Sequence, residues 1–280
     1  MARKKKKGKS LKSKAKSRNR QRAINMPNVK KLSFWLPVLL FFLFAFGLYH
    51  QCLEYDFILD DKIVITNNSI TKKGVDGIPE HLSTEVFTGY FGEKRDLLIG
   101  GRYRPLSLIC FSVIYEIWEL DPLPYHVLNV LVYGGIATLI YFILLALFPK
   151  RHQQGKWYIA VPFIGAMFYL FHPIHIEAVA NIKGLDELLT MFFALLSWVF
   201  SLHAYNKRSY LWPILAGLSF FLALLAKENA LTFLAVIPLS YYVFGKAVKK
   251  DFIRILIPLI ASTAVYLFIR YQILGYFLNP

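Results

Sequence analysis

The stretch FWLPVLLFFLFAFGLYHQCL, residues 34–53, decides the class of fold. It is as long as a bilayer crossing, for which about 20 residues of helix cover about 30 Å of hydrocarbon, and it carries no Asp, Glu, Lys or Arg. A cleavable leader has a shorter apolar core and a small-residue cleavage site, and no such site follows here, so the stretch reads as a retained signal anchor. Apolar runs of similar kind predict further helices, giving seven spans at 33–53, 125–148, 157–173, 185–205, 211–226, 229–245 and 252–270. The third and fifth lie near the lower limit of length, so neighbouring helices must cover them. Composition agrees. The 280 residues are 56% hydrophobic and 16% aromatic, with a mean hydropathy of +0.44. A soluble domain could not hide that much apolar surface, and the fold class expected is an all-α integral membrane protein, a multi-span helical bundle.

The formal charge of +16 suggests nucleic acid until its location is considered. Most of it lies in MARKKKKGKSLKSKAKSRNRQR, residues 1–22, and residues 1–32 read as a basic, disordered tail outside the fold. Next to a hydrophobic helix, such a tail marks the cytoplasmic side and the membrane surface, and no nucleic-acid partner is expected. Every second connection should then also be basic. PKRHQQGK (149–156), NKRS (206–209) and GKAVKK (245–250) meet that test without a single acid.

The opposite connections hold nearly all of the acids: residues 54–124, then 172–189, AKEN at 226–229 and RYQ at 270–272. Residues 33–280 thus read as a transmembrane domain whose first extracytoplasmic loop, 54–124, is too long for a connector and forms a folded unit. Within it, IPEHLSTEVFTGYFG (78–92) and PLSLICFSVIYEIWEL (105–120) predict amphipathic helices lying along the membrane surface, the second started by Pro105.

EYDFILDDKIVI (54–65) sets Asp60 and Asp61 just beyond the first span among apolar neighbours. A partly dried carboxylate there suits a general base or a divalent cation, whereas a turn or helix cap accounts for it as well. GRYRPLS (101–107) adds Arg102 and Arg104, whose planar forks suit phosphate, with lipid head groups as the alternative. In HPIHIEAVANIKGLDELL (172–189), Pro173 ends the third helix, and His172, His175 and Glu177 follow a spacing that lacks the two-His helical face of HExxH, a weak metal signal. Glu177 and Lys183 can pair with each other; Asp186 and Glu187 suit the first turn of the next helix through its dipole. Lys227 and Glu228 stand at a helix junction. Cys52 and Cys110 are too few for a disulfide framework, one bridge between them being open. NNS at 67–69 fits an N-glycosylation acceptor in a eukaryotic host.

The ordered set DD at 60–61, RYRPLS, YHVLNVLVY (125–133), FHPIHIEAVANIKGLDELL (171–189), LLAKENALT (224–232) and LFIRY (267–271) resembles the GT-C membrane glycosyltransferases. It is most similar to the transmembrane, TPR-containing protein O-mannosyltransferases and their bacterial relatives, over residues 54–275. The resemblance implies inverting transfer of a sugar, with mannose expected, from a polyprenyl-phosphate donor to a hydroxyl on a protein or glycan acceptor, at the extracytoplasmic face of the endoplasmic reticulum or bacterial inner membrane. Asp60 or Asp61 would be the catalytic base. Arg102, Arg104, Lys227 and Arg270 would bind the donor phosphate, and His172, His175, Glu177, Lys183, Asp186 and Glu228 would line the cavity. A divalent cation is a candidate cofactor.

Two departures stand out. Leu185 follows Gly184 where relatives carry Arg, and no repeat of about 34 residues appears, so a longer family architecture is expected around this portion. Two other classes remain open, a non-catalytic membrane scaffold and a lipid or solute transporter. Span interiors nearly free of charge argue against an ion pathway.

Overall fold

The computed structural model describes residues 31–92, 101–148, 156–206, 209–245 and 249–276. Residues 1–30 of the expected tail and most of the three basic connections lie outside the described residues, while positions 31 and 32 belong to the first helix. The described chain is helical, with no strand among the described residues. Its α-helices are α1 (Lys31–Tyr49), α2 (Ile78–Ser83), α3 (Thr88–Phe91), α4 (Pro105–Trp118), α5 (Pro122–Leu147), α6 (Val161–Leu170), α7 (Ile176–Ala180), α8 (Leu185–Asn206), α9 (Leu211–Ala226), α10 (Phe233–Phe244) and α11 (Lys249–Leu274). Short 3-10 turns extend several of these helices, His50–Glu54 after α1 and Ile182–Gly184 before α8 among them.

Among the described residues, four helices are long and apolar enough to cross a membrane: residues 35–54, 122–147, 182–205 and 250–274. A fifth span is possible by length if α6 and the segment Pro173–Ala180, bent by 48° from it, count as one. The expected α9 and α10 spans are short apolar helices, as is α4, which runs over Pro105–Trp118 as Pro105 predicts. The all-α membrane fold is therefore present; among the described residues four helices meet the length needed to span, and length alone does not confirm the expected seven.

α5 is the spine. It packs against α1 and α6 on one side and α8 on the other, α8 packs on α9, and α9 on α11. Small residues permit this closeness. A Cβ on Gly134 would sit 2.8 Å from the Phe42 ring of α1, and one on Gly135 2.9 Å from the Phe192 ring of α8. The break between α6 and α7 has a local cause, since Pro173 has no N–H to continue the ladder. At this break the Tyr133 hydroxyl of α5 donates to the carbonyls of Tyr169 (3.1 Å) and Leu170 (2.9 Å).

The described residues between α1 and α5 pack together and onto the helix ends. Val64, Ile65, Val86, Leu108, Phe111 and Ile114 pack with Tyr125, Ile182, Leu185 and Ala226, so their core runs into the ends of α5, α8 and α9. Asn68 is a polar organiser: its carbonyl oxygen accepts from the N–H groups of Ile70 and Thr71, and its amide donates to Ile63 O at 3.0 Å. His81 holds α2 against α4 through Ser112 Oγ at 3.1 Å. Cys52 and Cys110 are both free, and Cys52 Sγ donates to Tyr49 O, so the open disulfide is not formed.

Burial pushes His81 down to about 4 from its ordinary 6.5. Between those values the unfolded segment binds more protons than the folded one, so this stabilisation is complete above pH 6.5 and is lost as pH falls toward 4. Hydrogen exchange of amides 71–83 in detergent should show protection falling between pH 7 and pH 5 after correction for intrinsic rates, and His81→Gln should flatten that dependence.

Candidate functional site

The adjacent acids Asp60 and Asp61 have opposite fates. Leu59, at φ 42°, turns the backbone sharply just before them. Asp61 is thereby driven inward, 1% exposed, where Oδ2 accepts from Ile58 N–H (3.0 Å) and Oδ1 from Lys183 N–H (2.8 Å). Burial raises its pKa, partly opposed by those two backbone donors. Asp60 stays exposed and faces open space. The first acid is free for chemistry; the second fastens the loop to the turn before α8.

Arg104 is the electrostatic centre. Nε and Nη2 fork onto Glu228 Oε2 and Oε1 at 3.1 and 2.8 Å, and Nη1 reaches Asp186 Oδ2 at 3.1 Å. Burial works against its charge, but the bond and charge of Glu228, with those of Asp186, outweigh this and hold the guanidinium above its ordinary range. Glu228 is correspondingly held below the usual carboxylate range, burial notwithstanding, by the hydrogen bond and charge of Arg104. Lys183 Nζ lies 3.5 Å from Asp186 Oδ2, so its partner is Asp186 and not Glu177. Lys227 pairs with Glu187, and burial pushes the ammonium down. Asp186 and Glu187 do occupy the first turn of α8, and each also pairs with a cation. Arg270, buried on α11, lies near Tyr266 and Glu228.

Of the four cations expected to meet phosphate, Arg104 and Lys227 are thus engaged by carboxylates. Arg102 is half-buried, its guanidinium 5.8 Å above the Phe87 ring and without an ion pair among the described residues. His172 caps the Pro173 turn, Nδ1 accepting from Ile174 N–H at 3.2 Å. His175 stacks near Tyr169 and Tyr133, with ring centroids 4.3 and 5.8 Å away. Among the described residues, no three His, Cys, Asp or Glu side chains gather as metal ligands. Both Asp61 oxygens accept backbone N–H groups, whereas Asp60 is exposed.

Two adjoining cavities meet at Asp60, Lys183 and Asp186. The first, of about 230 Å³, combines Arg102 and Arg104 with Val64, Val86, Leu108 and Phe111. The second, of about 380 Å³, is lined by Glu177, Asn181 and Glu187 as well as the shared residues. His172 and His175 line neither cavity.

Sequence reasoning missed the residues that hold these walls. Asn129 of α5, fully buried, donates from Nδ2 to the carbonyls of Val179, Asn181 and Ile182. His126 contacts Tyr55 O at 3.2 Å, and Tyr125 donates to Glu119 O at 2.9 Å. Their signal was present in YHVLNVLVY: Tyr125, Asn129 and Tyr133 recur at i, i+4 and i+8 on one stripe of an apolar helix, where buried polar groups are costly without partners. Gly184 belongs to the same support, since any Cβ there would collide with Ala178 O.

Comparison with known proteins relates the chain to protein O-mannosyl-transferases of the TMTC family. It is 32% identical to TMTC2 of Mus musculus over 197 residues, 68% of this chain and 22% of the relative. Identity with the Caenorhabditis elegans protein O-mannosyl-transferase F38B6.6 is 28% over 213 residues, 76% of this chain and 29% of the relative. TMTC4 of Homo sapiens is 27% identical over 201 residues, 65% of this chain and 26% of the relative. The chain spans about a quarter of the length of the curated relatives it matches. No family model and no solved structure matches it.

Arg104→Met strands the buried Asp186 and the half-buried Glu228 and should cost about 3–5 kcal/mol, read as a lower melting temperature in detergent, with Arg104→Lys intermediate because an ammonium cannot fork. Asn129→Leu should cost about 1–3 kcal/mol and lower hydrogen-exchange protection around residues 179–184.

Proposed function

We propose that this relative of the TMTC protein O-mannosyl-transferases carries the transfer site of a membrane glycosyltransferase. A sugar, mannose by the relatives' names, passes with inversion from a polyprenyl-phosphate donor to an acceptor hydroxyl on the side opposite the basic N-terminal segment. In this reading the chain crosses the membrane seven times, with α9 and α10 as short spans and α6–α7 as a broken one.

The observation that carries the reading is the position of Asp60. It is an exposed carboxylate at the junction of two cavities, one of which pairs the available Arg102 with an apolar wall. Such a wall suits the start of a lipid tail and the guanidinium suits the phosphate beside it. An acceptor hydroxyl entering from the second cavity meets Asp60, which takes its proton. The hydroxyl oxygen bonds to the anomeric carbon as the carbon–oxygen bond to phosphate breaks on the opposite face. The electron pair leaves with the polyprenyl phosphate, whose charge Arg102 offsets. Arg104 has a different role here: it keeps Asp186 and Glu228 in place and so fixes the boundary between the cavities. Asp61 positions Asp60 through Lys183 N–H. Opposite signs on the two sides of Asp60 favour a group-transfer site over a scaffold, which needs no free carboxylate at a cavity junction.

With mannosyl polyprenyl phosphate and peptide acceptors, Asp60→Asn should lower turnover by about 10²–10⁴-fold at normal expression, whereas Asp61→Asn should lower the melting temperature while leaving part of the turnover. Transfer at the wild-type rate from Asp60→Asn would remove the proposed base. Arg102→Gln should raise the KM for donor and spare that for acceptor. Running the same assay with a chelator tests the divalent cation; undiminished transfer would exclude a requirement for it.

A further inference from the structure

We propose that the second cavity receives the acceptor as a polypeptide segment bearing a Lys or Arg beside the hydroxyl to be modified, an inference that rests on the transfer reading above. The cavity holds about 380 Å³ and is lined by four carboxylates, Asp60, Glu177, Asp186 and Glu187, against the single cation Lys183. That cation is already drawn to Asp186, which also binds Arg104, while Glu187 binds Lys227. Asp60 and Glu177, both exposed, make no ion pair among the described residues. The field left in the cavity is therefore negative.

A second observation points to a ligand. Asp186 is only 3% exposed and belongs to the lining, yet its Oδ1 has no hydrogen-bond partner while Oδ2 is taken twice. A buried acceptor without a donor is costly, and an entering N–H group or hydroxyl removes that cost. Ile174, strongly exposed at the rim, and Ala178 offer apolar surface for the methylene stem of a long cationic side chain. The same field repels a phosphate, so the donor is kept to the Arg102 side and the two substrates reach Asp60 from opposite directions. A neutral glycan would gain nothing from this distribution of charge.

The test uses the full chain in detergent and peptides with one Thr flanked by Lys, Gln or Glu. Binding is read by fluorescence anisotropy without donor, and transfer by mass spectrometry with mannosyl polyprenyl phosphate. Kd and KM should rise in the order Lys, Gln, Glu, by about two- to fivefold for each unit of charge, and the differences should shrink as salt is added. Glu177→Lys, a change at an exposed position that cancels the unpaired negative charge, should flatten that order without lowering the melting temperature. Equal Kd for the three peptides, an order that survives Glu177→Lys, or transfer to a neutral glycan without peptide binding would each overturn the proposal. Binding in the expected order with no transfer to any peptide would keep the cationic preference and remove the transfer reading instead.

Discussion

One buried guanidinium holds the site together. Arg104 leaves the folded loop, forks onto Glu228 at the junction after α9 and reaches Asp186 at the start of α8. Taking an arginine out of water costs several kcal/mol unless its donors are met by carboxylates of suitable geometry. The two acids supply that geometry only when three chain segments come together, so the charge selects one arrangement of loop, α8 and α9. Everything near Asp60 depends on this. Asp186 also draws in Lys183, the peptide N–H of Lys183 binds Asp61, and Asp61 fixes the turn from which Asp60 projects.

Helix ends supply the other constraint. The α6–α7 break and the turn before α8 interrupt the regular helical ladder near the apolar interior, where an unmet carbonyl costs free energy comparable to a lost hydrogen bond. α5 resolves both with side chains from one stripe, Tyr133 serving the first and Asn129 the second. A rigid spine thus carries the wall of a cavity that loops alone would leave mobile.

Much of this was legible in sequence, and the parts that were not share a cause. Length and apolarity identify α1, α5, α8 and α11 because a long span needs no tertiary information. α9 and α10 fall short because hydropathy alone cannot separate a short span from a buried helix. Pro173 announces the break after α6 and Pro105 the start of α4. The ordered motifs also named a family to which the comparisons relate the chain. Asp60 and Asp61, by contrast, are chemically identical neighbours, and only the backbone turn at Leu59 determines which faces inward. Likewise, Arg102 and Arg104 read as equivalent phosphate ligands until the carboxylates that engage Arg104, 82 and 124 residues away in sequence, are known. Local chemistry was readable; pairing across the chain was not.

That separation also has a meaning in time. A ribosome adds about 5–20 residues per second, so Glu228 is made on the order of 10 s after Arg104. Through that interval the loop must keep its guanidinium hydrated and its apolar side chains unsealed, because the helix ends that complete its core have not been inserted. The loop therefore matures late, as a consequence of helix insertion and not as an independent nucleus. Nascent chains halted before α9 would present it half-built, the form in which a chaperone or a protease would meet it.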